Sequence, residues 1–156
     1  MNPNNFTIKS QEALQRAQLL AQEMGHQQIE NEHLFKSIIE VDENVLPFIL
    51  KKLNINMKLI EQILDKELES LPKVSGGDIM FSQNAGKTLN EASIITKKMN
   101  DEYVSIEHLL LAILKSKSKI AQILKDQGAT EKDLKSAIEE LRKGAHVTSQ
   151  SAEDNY

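Results

Sequence analysis

The sequence contains no cysteine and no tryptophan, and aromatic residues make up only 4% of its 156 positions. Without cysteine the chain can form no disulfide, no thiolate nucleophile and no zinc site of the cysteine type. The scarcity of aromatic residues predicts a core of aliphatic side chains. The lack of cysteine also suits a reducing compartment such as the cytoplasm.

Long apolar runs and clustered basic residues are also missing. No apolar run approaches the roughly 20 residues that a membrane-spanning helix requires. Residues 1–5 lack the charged start and apolar stretch of a signal peptide. The net charge is −4, and acidic and basic residues are interspersed, so no basic stripe is available to neutralise phosphates. We therefore expect neither a membrane nor a nucleic acid as a partner.

An internal duplication is the strongest positive signal in the sequence. Glu32-His33-Leu34 recurs as Glu107-His108-Leu109, 75 residues further along. The same offset relates six more pairs of residues, which are Phe6 and Phe81, Leu14 and Leu89, Ala17 and Ala92, Met24 and Met99, Ile29 and Val104, and Ile38 and Ile113. Self-similarity at a fixed offset indicates a duplicated structural unit.

Both copies show apolar residues at helical spacing. Ser, Thr or Asn residues precede the helices where a side chain can cap free N–H groups, namely Thr7, Asn56, Ser82 and Thr130. The pattern predicts a first repeat over 1–72, a connector over 73–81 and a second repeat over 82–144. Residues 145–156 are polar and aperiodic, which predicts a flexible tail or linker toward a further domain.

The predicted fold class is therefore all-α. Each repeat contributes four helices, and the eight helices are expected to pack about a pseudo-two-fold axis. Each four-helix half leaves apolar surface that the other half can cover, and the groove between them is the natural concave site.

One tripeptide, Gly86-Lys87-Thr88, resembles the end of a phosphate-binding P-loop. That motif requires a glycine five positions before Gly86, where this chain has Phe81, and it should follow a strand rather than lie inside a helix. We interpret the tripeptide as part of a helix, and expect no cofactor in this chain.

Glu30-x-x-His33 has the spacing of a di-iron ligand pair, but the counterpart of Glu30 in the second copy is Ser105. No Gly-x-Ser-x-Gly nucleophile elbow occurs. We interpret His33 and His108 as locally packed and hydrogen-bonded, with the acids and histidines of both copies near the surface. The prediction is a chain without catalytic or metal-binding residues, and a metal-dependent enzyme remains an alternative.

These motifs resemble one known family. The residues that carry the resemblance are Phe6-Thr7-x-x-x-Gln11-x-Ala13-Leu14, Ile29-x-x-Glu32-His33-Leu34 and Val104-x-x-Glu107-His108-Leu109-Leu110. They are similar to the Clp N-terminal repeat domain. The connector Leu71-Pro72-Lys73-Val74-Ser75-Gly76-Gly77 and the ending Gln150-Ser151-Ala152-Glu153-Asp154-Asn155-Tyr156 resemble its disaggregase branch, the ClpB chaperones of the AAA+ class.

The resemblance implies a role that periodicity alone does not. In that branch the N-terminal domain engages exposed segments of unfolded or aggregated proteins. The resemblance implies that the whole protein is a homohexameric, ATP-driven chaperone that works with a DnaK-type system in the cytoplasm in heat stress. ATP and Mg²⁺ would bind in downstream modules, so this fragment is expected to be a monomer without catalysis of its own.

The resemblance also implies a set of substrate-binding residues in the groove between the repeats. The polar members are Thr7, Asp101 and Glu107, and Leu89 and Ile95 supply an apolar floor, with His108 beside them. Glu91 and His108 stand where some relatives carry leucine, which predicts a more polar groove.

A second interpretation is an adaptor-docking platform of a Clp ATPase. In the related ClpC branch the positions of Glu32 and Glu107 are associated with phosphorylated arginine, so a phosphoarginine-recognising platform is included in this alternative.

Overall fold

The computed structural model describes residues 3–74 and 76–156, and in these ranges the chain forms eight α-helices and one small sheet. The helices are α1 (Ile8–Glu23), α2 (Asn31–Val41), α3 (Val45–Lys52), α4 (Met57–Glu69), α5 (Gln83–Lys98), α6 (Ile106–Lys115), α7 (Lys119–Asp126) and α8 (Glu131–Arg142). Short 3-10 turns lie at Pro3–Asn5 and Ala152–Asn155. The predicted all-α fold with two four-helix repeats is confirmed. None of these helices is long and apolar enough to span a membrane.

The predicted capping residues begin their helices as expected. The side chains of Thr7, Asn56, Ser82 and Thr130 each accept a hydrogen bond from the backbone N–H three residues further on. Each bond satisfies one of the N–H groups that a helix leaves free in its first turn. These local bonds explain why the helix starts could be read from the sequence.

A short parallel sheet, which the sequence did not predict, joins the two repeats. Strand β1 (Gln28–Ile29) pairs with strand β2 (Met80–Phe81), so that Ile29 lies opposite Phe81. An isolated parallel bridge pairs Phe6 with Val104. Because Phe6 and Phe81 are equivalent, as are Ile29 and Val104, these two pairings are one contact repeated about the pseudo-two-fold axis. The segment before the first helix of each repeat therefore pairs with the segment before the second helix of the other repeat.

The core is mostly aliphatic, as predicted, with Phe6 and Phe35 as buried aromatic members, and it continues from one repeat to the other. Helix α2 packs against α6 and α7, and α4 packs against α7. Leu34 and Ile38 of α2 are buried, as are Leu109 and Ile113 of α6. Burying one such side chain stabilises the fold by about 1.5–3 kcal/mol, so the shared core holds the repeats together.

Equivalent helix pairs carry an equivalent ion pair with the charges exchanged. Arg16 of α1 bonds to Glu40 of α2, whereas Glu91 of α5 bonds to Lys115 of α6 at 2.8 Å. Both pairs lie at the surface, where an ion pair contributes up to about 1 kcal/mol. The repeats therefore keep the geometry of this contact while differing in the residues that make it.

Residues 145–156, here called the strap, do not form the flexible tail predicted from their polarity. The side chains of Val147 and Ala152 are buried against the two repeats. The N–H of Glu102 donates to the carbonyl of Val147, and the N–H of Ile8 donates to the carbonyl of Gln150, both at 2.8 Å. The prediction was wrong because these partners are distant in sequence and leave no periodic pattern. The boundaries of the repeats, and a further domain after the strap, stay predictions.

Candidate functional site

An open groove of about 530 Å³ lies where the segment before α1 meets the second repeat. Phe6, Leu89 and Val104 form its apolar floor. The remaining lining residues form a mostly polar rim, contributed by the N-terminal segment, α5 and the loop after α5, and they are Asn5, Gly86, Asn90, Ser93, Thr96, Lys97, Asp101 and Glu102. We call this cavity the α5 groove. It combines a surface for apolar side chains with hydrogen-bonding groups at its edge.

Two of the six predicted substrate-binding residues, Leu89 and Asp101, line the α5 groove. The other four, Thr7, Ile95, Glu107 and His108, do not line it. All six predicted residues are less than a tenth exposed. Ile95 belongs to the hydrophobic core because it lies on the side of α5 that faces the other helices. The six predicted residues therefore do not line one exposed groove.

Glu91 and His108 were expected to make the groove more polar, but neither lines it. Glu91 bonds to Lys115 on the other side of α5, and His108 is fully buried. The expectation that the acids and histidines of the Glu-His-Leu motifs lie near the surface is also wrong, because Glu32, His33, Glu107 and His108 are all buried.

Beneath the strap lies a buried ionic cluster of four side chains, which are Asp101, Glu107, His108 and Arg142. Arg142 at the end of α8 bonds to Glu107 at 2.9 Å and to Asp101 at 2.8 Å. His108 Nδ1 accepts the N–H of Ser105, so Nε2 carries the ring proton and donates to Asp101 at 2.6 Å. One guanidinium thus compensates two carboxylates that would otherwise be buried charges.

The surroundings of Asp101 keep its carboxyl ionised. Burial would raise its pKa, but hydrogen bonds from His108, from the N–H of Val147 and from Arg142 outweigh burial and hold the pKa well below its ordinary value. Asp101 therefore stays ionised at one end of the α5 groove, with its charge compensated by Arg142.

The first repeat has a different arrangement at the same place. His26 is equivalent to Asp101, and its Nδ1 lies 2.7 Å from Nε2 of His33. His33 Nδ1 accepts the N–H of Glu30, which leaves Nε2 to donate to His26. Burial, with a smaller effect from His26, lowers the pKa of His33 to about 4, so this pair is neutral where the second repeat is ionic.

The two glutamates of the Glu-His-Leu motifs also have different partners. Glu32 accepts the N–H of Ile120 at the start of α7, which ties the first repeat to the second. Glu107, its equivalent, accepts from Arg142 and, at 3.0 Å, from the hydroxyl of Tyr156 in the strap. Burial raises the pKa of Glu32 despite the backbone hydrogen bond.

The strap contributes a buried carboxylate of its own. Glu153 accepts a hydrogen bond from the Thr7 hydroxyl at 2.6 Å and from the N–H of Ile106, at the start of α6, at 3.1 Å. Burial raises the pKa of Glu153 to about 6, and the negative charge of Glu107 acts in the same direction. The strap is therefore held by an ionisable group that is unfavourably placed when charged.

Sequence reasoning missed Arg142, Glu153 and Tyr156. One signal could have revealed Arg142. The apolar positions of α8 are Leu134, Ile138 and Leu141, and Arg142 follows at the position where the buried face continues. A cation on an apolar face requires buried acids as partners. No comparable signal marks Glu153 or Tyr156.

The tripeptide Gly86-Lys87-Thr88 lies inside α5, as predicted. Across residues 3–74 and 76–156, no group of three or more His, Asp or Glu side chains is arranged to hold a metal ion.

A family model described as the Clp repeat (R) N-terminal domain matches residues 5–127. The chain belongs to this Clp N-terminal domain family. The chaperone protein ClpB of Bacteroides thetaiotaomicron is 53% identical over 156 residues, and that of Porphyromonas gingivalis is 48% identical over 156 residues. Each match covers 100% of this chain and 18% of the relative, so the chain spans less than a fifth of the length of these chaperones.

Solved structures of Clp N-terminal domains have the same fold. The Hsp104 N-terminal domain from Candida albicans is 26% identical, with a TM-score of 0.85 over 96% of this chain and 99% of that one. The N-domain of ClpV from Vibrio cholerae matches with a TM-score of 0.76 over 88% of this chain and 84% of that one, and at 19% identity it shows the fold alone. The resemblance to the N-terminal domain of ClpB is confirmed.

Proposed function

We propose that this chain is the client-binding module of a ClpB-type disaggregase, and that exposed segments of unfolded or aggregated proteins bind in the α5 groove. The observation that carries this proposal is the groove itself, with an apolar floor and a polar rim at the junction of two repeats. Membership of the Clp N-terminal domain family supports it.

The groove suits a ligand without a fixed sequence. Phe6, Leu89 and Val104 are at most 3% exposed, so an apolar client side chain would contact only a small apolar surface, while Asn90 and Ser93 can bond to the amide groups of any extended peptide. Burying about 200 Å² of apolar surface, most of it contributed by the client, gives roughly 5 kcal/mol before association costs. Lost rotational freedom and ordering of the peptide remove much of that, so binding should be weak and reversible.

The proposed whole protein extends beyond this chain, which spans 18% of its ClpB relative from Bacteroides thetaiotaomicron. It would be a cytoplasmic homohexamer with ATP-binding modules beyond this chain, cooperating with a DnaK-type system. Several N-terminal domains on one ring would raise the effective concentration of weak sites. A ClpV N-domain, 17% identical to this chain, has been solved as a complex with a VipB peptide, which is compatible with peptide binding by this fold.

A second candidate is adaptor docking on the outer faces of α1 and α5. Leu19 and Ile94 occupy equivalent positions in the two repeats and are 48% and 40% exposed. Apolar residues at the surface of both repeats could contact a folded partner. The phosphoarginine form of this alternative has less support, because Glu32 and Glu107 are both buried and hydrogen-bonded.

Two neighbouring substitutions on α5 distinguish these candidates. Ser93 lines the α5 groove and Ile94 does not, so Ser93→Trp fills the groove whereas Ile94→Trp changes only the outer face. We expect Ser93→Trp to weaken binding of labelled, carboxymethylated α-lactalbumin about tenfold or more, since a bulky ring occupies the site. Fluorescence anisotropy measures this, and Ile94→Trp should bind as the wild type does.

The reverse pattern would contradict client binding in the groove. If Ile94→Trp alone abolishes capture of a folded stoichiometric partner, and the unfolded protein binds equally to all variants, the chain is an adaptor platform. Circular dichroism of both variants controls for loss of the helical fold.

A further inference from the structure

The strap covers the polar residues that the family resemblance assigns to client binding. Glu153 of the strap bonds to Thr7, and Tyr156 bonds to Glu107. The N–H of Val147 donates to Asp101 at 2.9 Å. All three assigned polar residues are thus occupied by the last ten residues of the chain.

The strap also borders the α5 groove directly. The backbone of Val147 bonds to Asp101 and Glu102, which line one end of the α5 groove. The side-chain amide nitrogen of Gln150 lies 3.3 Å from the carbonyl oxygen of Phe6, which belongs to the floor of the α5 groove. The groove and the surface beneath the strap are therefore continuous at Asp101 and Phe6. If the strap left, one longer site would extend from Leu89 to Glu107.

The docked strap satisfies this surface incompletely. Glu107 Oε1 is fully buried, and no hydrogen-bond partner for it lies in the described ranges 3–74 and 76–156. Glu153 is buried beside Glu107, and that burial raises the pKa of Glu153 to about 6. A buried acceptor without a partner and a crowded carboxylate both oppose docking. These two features lower the stability of the docked strap.

We propose that the strap is an intramolecular competitor of the client: it occupies the polar half of the client site, and a client segment binds there only after the strap has left. This inference rests on the proposed function and adds its regulation. A client segment that extends from the α5 groove into this polar half then detaches residues 147–156, and a tightly docked strap lowers client affinity.

Two substitutions in the strap shift its docking in opposite directions without touching the groove. Glu153→Gln keeps an oxygen acceptor for Thr7 and Ile106 but removes the buried charge, so it should dock the strap more tightly. Ala152→Glu introduces a charge at a buried position and should release the strap. Asp154→Asn removes one charge from an exposed neighbour and serves as the matched control.

Affinity for carboxymethylated α-lactalbumin at pH 7.5 is the first measurement. We expect Glu153→Gln to weaken binding about tenfold, Ala152→Glu to strengthen it severalfold, and Asp154→Asn to leave it unchanged. Equal affinities for all four proteins would overturn the competition. If Ala152→Glu does not fold, as judged by circular dichroism, the comparison of Glu153→Gln with Asp154→Asn still decides.

The amide NMR signals of the wild-type chain give the second measurement. At saturating client, the signals of Val147 and Ala152 should move to random-coil positions while those of Leu89 and Asn90 shift through contact. Shifts at Leu89 and Asn90 with an unmoved strap would refute the competition and leave the proposed function standing. No shifts in either region, with no measurable affinity, would instead refute the proposed function.

Discussion

Glu153→Gln also tests the electrostatics of the strap without any client. Glu153 is only 3% exposed, and two donors, the Thr7 hydroxyl and the Ile106 N–H, point at one carboxylate oxygen. These donors favour the charged form, but burial and Glu107 outweigh them and raise the pKa from 4.5 to about 6. A neutral amide of the same shape avoids this conflict.

The magnitude follows from linkage between protonation and folding. The rise in the pKa of Glu153 from 4.5 to about 6 corresponds to about 2 kcal/mol in the free energy of unfolding. Between these two pH values Glu153 is protonated in the native state and ionised in the unfolded state. The stability from this group is therefore fully present below pH 4.5 and is lost as the pH rises through 6.

Urea unfolding of wild type and variant at two pH values measures the effect. The free energy of unfolding of Glu153→Gln, minus that of the wild type, should rise by about 1 kcal/mol between pH 5.0 and 7.5. Groups common to both proteins cancel in this difference. A difference that is constant or falls with pH would show that Glu153 is hydrated rather than buried. Asp154→Asn, at an exposed position, serves as the control for the loss of one charge from the strap.

Three further predictions concern the helices and the buried clusters. Arg142→Ala should lower the free energy of unfolding by about 3–5 kcal/mol in urea, because Asp101 and Glu107 lose their cation, and adding Glu107→Gln should recover part of the loss. Gly86→Ala should raise the thermal midpoint, since alanine favours α5 by up to about 1 kcal/mol and a Cβ there meets open space. The His33 ring signal should titrate near pH 4 by NMR. The contribution of His33 to the free energy of unfolding is therefore complete above pH 6.5 and is lost as the pH falls through 4. A titration midpoint near 6.5 would contradict the burial of His33.

Local and repeated features were predictable from the sequence. Thr7 and Ser82 cap equivalent helices, and each needs only the backbone three residues further on. Because such bonds are short in sequence, their pattern survives in both copies. The family resemblance likewise rested on residues that the duplication preserves.

The site was only partly predictable because its partners are remote. Glu107 is buried by Arg142, 35 residues away, and by Tyr156, 49 residues away. Glu153 reaches Thr7 across 146 residues of chain. Polarity alone placed these residues at the surface or in a tail, since a single sequence does not show which charges compensate each other. The α5 groove itself depends on the pairing of Phe6 with Val104, which no local pattern indicates.

The crossed strand pairing has the form of a homodimer interface contained in one chain. Phe6 with Val104 and Phe81 with Ile29 are the same contact made in both directions, as in an isologous interface between two identical subunits. A single repeat made alone would leave both of its strand segments, the one before its first helix and the one before its second helix, without a pairing partner. A second copy of the repeat could pair with both segments. A chain of residues 1–74 is therefore expected to associate with residues 76–156, or to form a two-fold dimer, rather than to fold as a monomer.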